Sequence, residues 1–356
     1  MYLSPRFRAL AAGAALFAAS ALAQAQQTLP NVVILATGGT IAGAASSDVQ
    51  SGYASGQVDV EPLLAAVPQA RKLATLRGEQ ISSIGSQDMN DAVWLTLAAR
   101  VNELLARPDV DGIVITHGTD TIEETSYFLN LVVKSPKPVV MTASMRPSTA
   151  LSADGPLNFY NAVAVAADQD AAGRGVLVVI NDWIHGARSL TKTNTTAVQT
   201  FLSPLQGLVG TVTYGVAEFY RHPVEKHTTQ SEFSLEGVTA LPRVDIIMAH
   251  QSMDGVLLNA AAAAGAQGVV VAGVGNGNMT ASALDALAAL SQQGLVAVRS
   301  TRVTTGHVGR NVEVDDDRLG LVASGELNPP KARVLLRLAL LKPRTLAEIQ
   351  RLFQEY

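Results

Sequence analysis

The chain has 356 residues, 48% of them hydrophobic and 16% charged, with a formal net charge of −4. That balance excludes a disordered chain, and an acidic chain without a basic run is excluded as a nucleic-acid binder. The absence of cysteine rules out disulfides, thiolate metal sites and cysteine nucleophiles, while the length is too great for one ordinary core and predicts two domains.

Residues 1–8 carry Arg6 and Arg8, residues 9–23 form an alanine-rich apolar run, and Ala21-Leu22-Ala23 and Ala23-Gln24-Ala25 are both small-x-small sites. This pattern predicts a secretory signal over 1–23, with cleavage after Ala23 or Ala25. The mature protein is then expected to be periplasmic, with no membrane attachment after processing. The rival reading, a membrane anchor, needs an apolar run of about 20 residues. Removing 23 residues leaves 333, with 24 basic and 30 acidic side chains and a charge of −6.

Further along, short β-branched runs repeatedly end in polar turns. Residues 31–36 (NVVILA) lead into Thr37-Gly38-Gly39, and 112–116 (GIVIT) into His117-Gly118-Thr119-Asp120. Residues 138–142 (PVVMT) lead into Ala143-Ser144-Met145, 175–180 (GVLVVI) into Asn181-Asp182-Trp183, and 268–272 (GVVVA) into Gly273-Val274-Gly275-Asn276-Gly277-Asn278. Such runs read as buried strands. Helical spacing is present over 88–105, 121–133, 280–292 and 331–341. Alternating strands and helices predict an α/β fold with a mainly parallel sheet. Residues 221–242 are polar, contain two prolines and lack a period. They read as a linker between an N-terminal domain over 29–220 and a smaller C-terminal domain over 243–356. Residues 43–56, rich in Gly, Ala and Ser, are either a surface loop or a lid over a site.

Ligands of open parallel sheets bind at the carboxyl ends of the strands, which directs attention to the loops 37–43, 117–120, 181–192 and 273–278. The paired glycines of Thr37-Gly38-Gly39-Thr40 let the backbone approach a ligand, although such threonines also simply cap turns. No phosphate loop with a Gly-Lys pair and no G-x-G-x-x-G fingerprint occurs. In the second loop, Asp120 or Thr121 is expected to cap the following helix, with Glu123 and Glu124 favouring its N-terminus. His117 reads equally well as a packed residue. Lys192 is either a surface charge or, desolvated beside Thr119 and Asp120, a group suited to proton transfer. There is no G-x-S-x-G elbow and no H-E-x-x-H. The six histidines have no metal-ligand spacing, so a metal is not expected.

Thr37-Gly38-Gly39-Thr40-Ile41-Ala42-Gly43 and Ile115-Thr116-His117-Gly118-Thr119-Asp120-Thr121 resemble the two signature motifs of bacterial L-asparaginases. The resemblance extends from Leu29 to Tyr356. It includes Gly85-Ser86-Gln87-Asp88, Met145-Arg146-Pro147, Thr191-Lys192-Thr193-Asn194-Thr195, 273–278 and Leu327-Asn328-Pro329. With the leader, it is to the exported, type II branch. It implies a flavodoxin-like parallel-sheet N-terminal domain and a smaller Rossmann-like C-terminal one. It implies cofactor-free hydrolysis of L-asparagine to L-aspartate and ammonia, with lesser glutaminase activity. It also implies a homotetramer whose sites are shared across a dimer.

By the same resemblance, Thr40 is the nucleophile that forms a β-aspartyl acyl-enzyme, and Tyr53 stands beside it when a lid closes. Thr119, Asp120 and Lys192 form a proton relay, and which cluster activates the nucleophile stays open. Ser86, Gln87 and Gly118 hold the substrate carboxylate, Asp120 and Gln87 its ammonium, and Asn278 and Glu313 come from the partner subunit. The chain departs from the family pattern in having no disulfide, Ser135 standing near one such position, and in the stretch 181–185. Asn276 and Asn278 stand where glutaminase-leaning members have smaller residues, which favours asparagine. Two rivals remain: a dual-specificity glutaminase-asparaginase, since one methylene is worth only about 1–3 kcal/mol, and a periplasmic amino-acid binding protein, which would bind without turnover.

Overall fold

A computed structural model describes residues 28–42, 44–45, 53–54 and 59–356. The predicted signal over 1–23 lies outside the described residues. Of the segment 43–56, only β2 (Ala44–Ala45) and β3 (Tyr53–Ala54) are described, paired antiparallel, following β1 (Asn31–Gly38).

The first sheet continues with β4 (Thr75–Ile84), β5 (Gly112–Thr116), β6 (Val139–Thr142), β7 (Val176–Ile180) and β8 (Trp183–Gly186). After the two-residue pair β9 (Thr191–Lys192) and β10 (Phe201–Leu202), the hairpin β11 (Gly210–Thr213) and β12 (Val216–Phe219) completes it. The order is β12-β11-β8-β7-β6-β5-β1-β4. From β4 to β7 every pairing is parallel. Numbered along the chain, these five run 2-1-3-4-5, the doubly wound order of flavodoxin-like sheets.

The unbroken apolar runs follow from this architecture. Val33 and Leu35 join the core on one face, and Val32, Ile34 and Ala36 join it on the other. Helices α1 (Val60–Ala66) and α4 (Gly155–Ala167) cover the second face through Val60, Leu64, Phe159 and Val163. Helices α2 (Asp91–Leu105) and α3 (Ile122–Val132) cover the first through Leu97, Val101, Phe128 and Leu131.

A second sheet is parallel throughout, in the order β13 (Val244–Met248), β14 (Gly268–Gly273), β15 (Val296–Thr301), β16 (Leu321–Ala323). Helices α5 (Val256–Ala263) and α6 (Ala281–Gln292) pack on one face. The short α7 (Asp316–Leu319) precedes β16, and α8 (Pro329–Ala339) and α9 (Leu346–Glu355) close the other face. The two sheets share one apolar cluster, in which Val270, Val298 and Leu335 join Phe128 and Leu131. Residues 221–242 form no strand but are packed. Phe233 and Leu241 are buried in the shared cluster, and the Phe233 ring lies 5.1 Å from that of Tyr356.

Two local expectations are corrected. Residues 181–192 are not one loop. Asn181 and Asp182 both have positive φ, 52° and 63°, making a tight hairpin turn that reverses β7 into antiparallel β8. Nor does a side chain cap α3: Thr121 occupies the N-cap position, but its hydroxyl donates to the Ser86 carbonyl (2.7 Å).

Candidate active site

Strands β1 and β5 are neighbours, and the chain leaves them towards opposite sides of the sheet order, β4 on one side and β6 on the other. The carboxyl ends of such a pair open a crevice, where doubly wound folds bind ligands. Thr37-Gly38-Gly39-Thr40 leaves β1 there, and His117-Gly118-Thr119-Asp120 leaves β5. The first turn is fixed by the Thr37 hydroxyl donating to Thr116 O (2.9 Å), by Ser82 donating to Thr37 O (3.0 Å) and by Gly39 N donating to Ile84 O (3.0 Å).

The two turns touch through bare backbone. Gly39 has φ +82°, and a Cβ placed on it would stand 2.4 Å from the Gly118 nitrogen. A Cβ on Gly118 would meet Ser86 Oγ at 2.5 Å. Glycine is required here for close approach, and at Gly39 also for its dihedral. Thr40 and Thr119, the next residue after each glycine, are both buried. Ser86 is buried as well and accepts a hydrogen bond from the Asp120 backbone N–H (3.2 Å).

Lys192 reaches this cluster from β9. Its Nζ donates to Thr119 Oγ1 (2.9 Å) and to Asp120 Oδ1 (2.6 Å). The Lys192 side chain is 18% exposed and that of Asp120 58%. The lysine is therefore mostly enclosed while its carboxylate partner faces solvent. Gln87 is exposed and folds its amide back over Gly85. Thus Thr119, Asp120, Lys192, Ser86 and Gly118 form one cluster, with Thr40 one residue beyond the glycine contact. The Tyr53 side chain lies outside the described residues.

His117 is a packed residue. It is fully buried, its Nδ1 donates to Gly118 O (2.8 Å) and its Nε2 has no partner among the described residues. Burial pushes its pKa down to about 4, against a weaker opposing effect of that hydrogen bond.

Asn278 and Glu313 sit elsewhere, after the second sheet's β14 and just before α7. Asn278 Nδ2 donates to a Glu313 carboxylate oxygen, and Asn276 Nδ2 approaches the other (3.5 Å). Among the described residues, no hydrogen bond or ion pair joins them to the Thr119–Lys192 cluster.

Sequence reasoning missed what holds each half. Arg299, 1% exposed, pairs with the equally buried Asp316 through two bonds (2.6 and 2.8 Å). It also donates to the carbonyls of Asn276, Gly277 and Gly309. A single guanidinium therefore fixes the turn that presents Asn278. The signal was a charged residue inside an apolar strand run, Val296-Ala297-Val298-Arg299. For the Thr119–Lys192 group, buried Lys331 contacts Glu123, three residues after Asp120, and the carbonyl of Leu190, two residues before Lys192. No group of three or more potential metal-binding side chains occurs among the described residues, and no described helix is long and apolar enough to cross a membrane.

Residues 31–225 match the family model described as asparaginase, N-terminal, and residues 243–353 match the glutaminase/asparaginase C-terminal domain. The chain is 53% identical over 328 residues to a probable periplasmic L-asparaginase of Haemophilus influenzae, covering 92% of this chain and 93% of that one. It is 51% identical over 348 residues to L-asparaginase 2 of Escherichia coli, covering 98% of both. Among solved structures, a probable cytoplasmic L-asparaginase from Campylobacter jejuni superposes with a TM-score of 0.89 at 45% identity, covering 92% of this chain and all of that one. The chain belongs to the asparaginase family of amidohydrolases.

Proposed function

We propose that this protein hydrolyses L-asparagine to L-aspartate and ammonia through a covalent ester on Thr40. The observation that carries the reading is Lys192 Nζ within hydrogen-bond distance of both Thr119 and Asp120. Thr119 directly follows Gly118, whose contact with Gly39 brings the Thr40 turn alongside.

The steps follow from elementary chemistry. The Thr40 hydroxyl attacks the side-chain amide carbon, and its proton passes to a neighbouring base, because a threonine hydroxyl is feeble until one accepts it. Tyr53 is one candidate for that base. The other is the Thr119–Lys192 pair, in which the lysine as free amine takes the proton of Thr119. The negative oxygen of the tetrahedral adduct is held by backbone N–H groups, that of Thr119 included. The C–N bond breaks as the nitrogen gains a proton and leaves as ammonia. Water then attacks the ester, restores the Thr40 hydroxyl and releases aspartate. In this reading Ser86, Gln87 and Gly118 hold the α-carboxylate and Asp120 with Gln87 the α-ammonium. Asn278 and Glu313 complete the site from a partner subunit, in a homotetramer whose sites are each shared between the two subunits of an intimate dimer. The leader over 1–23 and the relative named as periplasmic support export to the periplasm.

Ammonia release from L-asparagine tests the activity. Thr40→Ala and Thr119→Val are each expected to lower kcat at least about 1,000-fold with the fold intact. A Thr40→Ala protein that keeps turning over rejects the ester mechanism. The family's C-terminal domain description also names glutaminase, so comparing kcat/KM for the two amides decides the main substrate. A one-to-one asparagine complex without ammonia release would return the protein to the binding-protein class.

A further inference from the structure

Lys192 sits on a short strand, two residues after Leu190, whose side chain is buried in the core and whose N–H donates to Gly186 O (3.1 Å). The β9–β10 ladder is two residues long. On the far side of Lys192 the chain is secured by Thr193, whose N–H and hydroxyl both donate to Thr200 O (2.8 Å each). On the near side the Leu190 carbonyl receives the ammonium of Lys331, which comes from α8 in the second half of the molecule. The same ammonium lies 3.3 Å from Glu123 Oε2, in the first turn of α3, three residues after Asp120. Asn328, the N-cap of α8, also donates to Glu123 Oε2 (3.3 Å). One cation therefore ties the segment that carries Lys192 to the segment that carries Thr119 and Asp120.

The clamp is a costly way to hold two halves of a protein together. Lys331 is 3% exposed, and a buried cation loses hydration that a single carboxylate seldom repays. Docking of α8 has other supports. Arg337 pairs with Asp91 (2.5 Å), Arg333 approaches Glu124 (3.9 Å), and the apolar face of α8 lies in the shared core. What Lys331 adds is a second tie between the two chain segments, beside the bonds that Lys192 itself makes to Thr119 and Asp120. Displacements near 1 Å at such a site cost about 100-fold in rate.

We infer that Lys331, held by Glu123, is a positioning residue that sets the reach of Lys192 to Thr119 and Asp120. The inference rests on the reading of Lys192 as a catalytic group. The test is steady-state ammonia release by the full-length protein. Lys331→Met is expected to lower kcat about 10- to 100-fold with KM changed less than about threefold, and Glu123→Gln to lower it in the same direction by less. The deciding measurement is the residual rate of Lys192→Met, read at high enzyme concentration with and without Lys331→Met. If Lys331 acts through Lys192, the second substitution adds no further loss. An equal fold-loss in both backgrounds, or an unchanged kcat in Lys331→Met, overturns the inference. Should Lys331→Met fail to fold, Glu123→Gln, which keeps an acceptor, carries the same comparison. These outcomes are separate from failure of the functional reading, in which the wild-type protein itself would release no ammonia.

Discussion

At the scale of single residues, the fully buried imidazoles of His117 and His185 weaken the fold in acid. Burial pushes His117 down to about 4 and His185 to about 3, and among the described residues neither Nε2 has a partner. In the unfolded chain both take up a proton near pH 6.5. Between that pH and about 4 the unfolded state therefore binds more protons than the folded one, and stability falls as pH drops through this window. For His117 the loss is on the order of 3 kcal/mol once complete. Urea midpoints measured from pH 7 to pH 4.5 should fall, and His117→Asn, which keeps a donor for Gly118 O, should flatten the slope. A slope indifferent to that substitution would assign the loss to carboxylates instead. The single residues also show where sequence stops. Thr40, Thr119 and Lys192 stand out as hydroxyls and one cation after buried runs, but sequence leaves the proton-transfer and surface-charge readings of Lys192 side by side, and only its enclosure beside Thr119 and Asp120 favours the first.

At the scale of elements, the legible strands were those buried on both faces. Gly112–Thr116 and Val176–Ile180 are wholly buried, and their unbroken apolar runs are visible directly. Edge strand Thr75–Ile84 was not legible because Leu76 is its only fully buried residue. Helix α4 was missed for the opposite reason. Nearly every residue from Asn158 to Ala166 is buried, so no polar stripe reveals a period. The hairpin at Asn181-Asp182 passed for a ligand loop because two polar residues after a strand serve either purpose. The turns after β1 and β5 make a prediction of their own. Gly39→Ala would place a methyl against the Gly118 nitrogen in a backbone conformation that L-residues avoid. Overpacking of this kind costs about 1–3 kcal/mol before the φ strain is added. A lower Tm and at least about a 100-fold loss of kcat are expected, read by calorimetry and ammonia release. Full activity in a stable Gly39→Ala protein would mean that the two turns need not touch.

At the scale of the whole molecule, the two groups of candidate residues belong to different sheets. Asn278 and Glu313 satisfy each other within one chain, apart from the Thr119–Lys192 cluster. If the site is completed by a second subunit, a Lys192→Met chain and a Glu313→Ala chain, each weak alone, should complement when refolded together. Each mixed dimer regains one intact site, so random pairing restores about a quarter of wild-type activity. No gain above the sum of the two separate proteins would place both groups in one subunit's site. The resemblance of the motifs supplied this division. Composition and periodicity did not, because Glu313 by itself is one acid in an acidic run.

The meeting of Gly39 with Gly118 has a consequence for how such a protein can be altered. Where main chain abuts main chain there is no side chain to exchange, so this wall of the crevice keeps its outline under any single substitution that leaves it standing. If Asn278 and Glu313 of a partner subunit line the site, as proposed, altered preference among amides falls to side chains such as these, since the turn that carries Asn278 is itself closed by main chain where Gly273 meets Gly277.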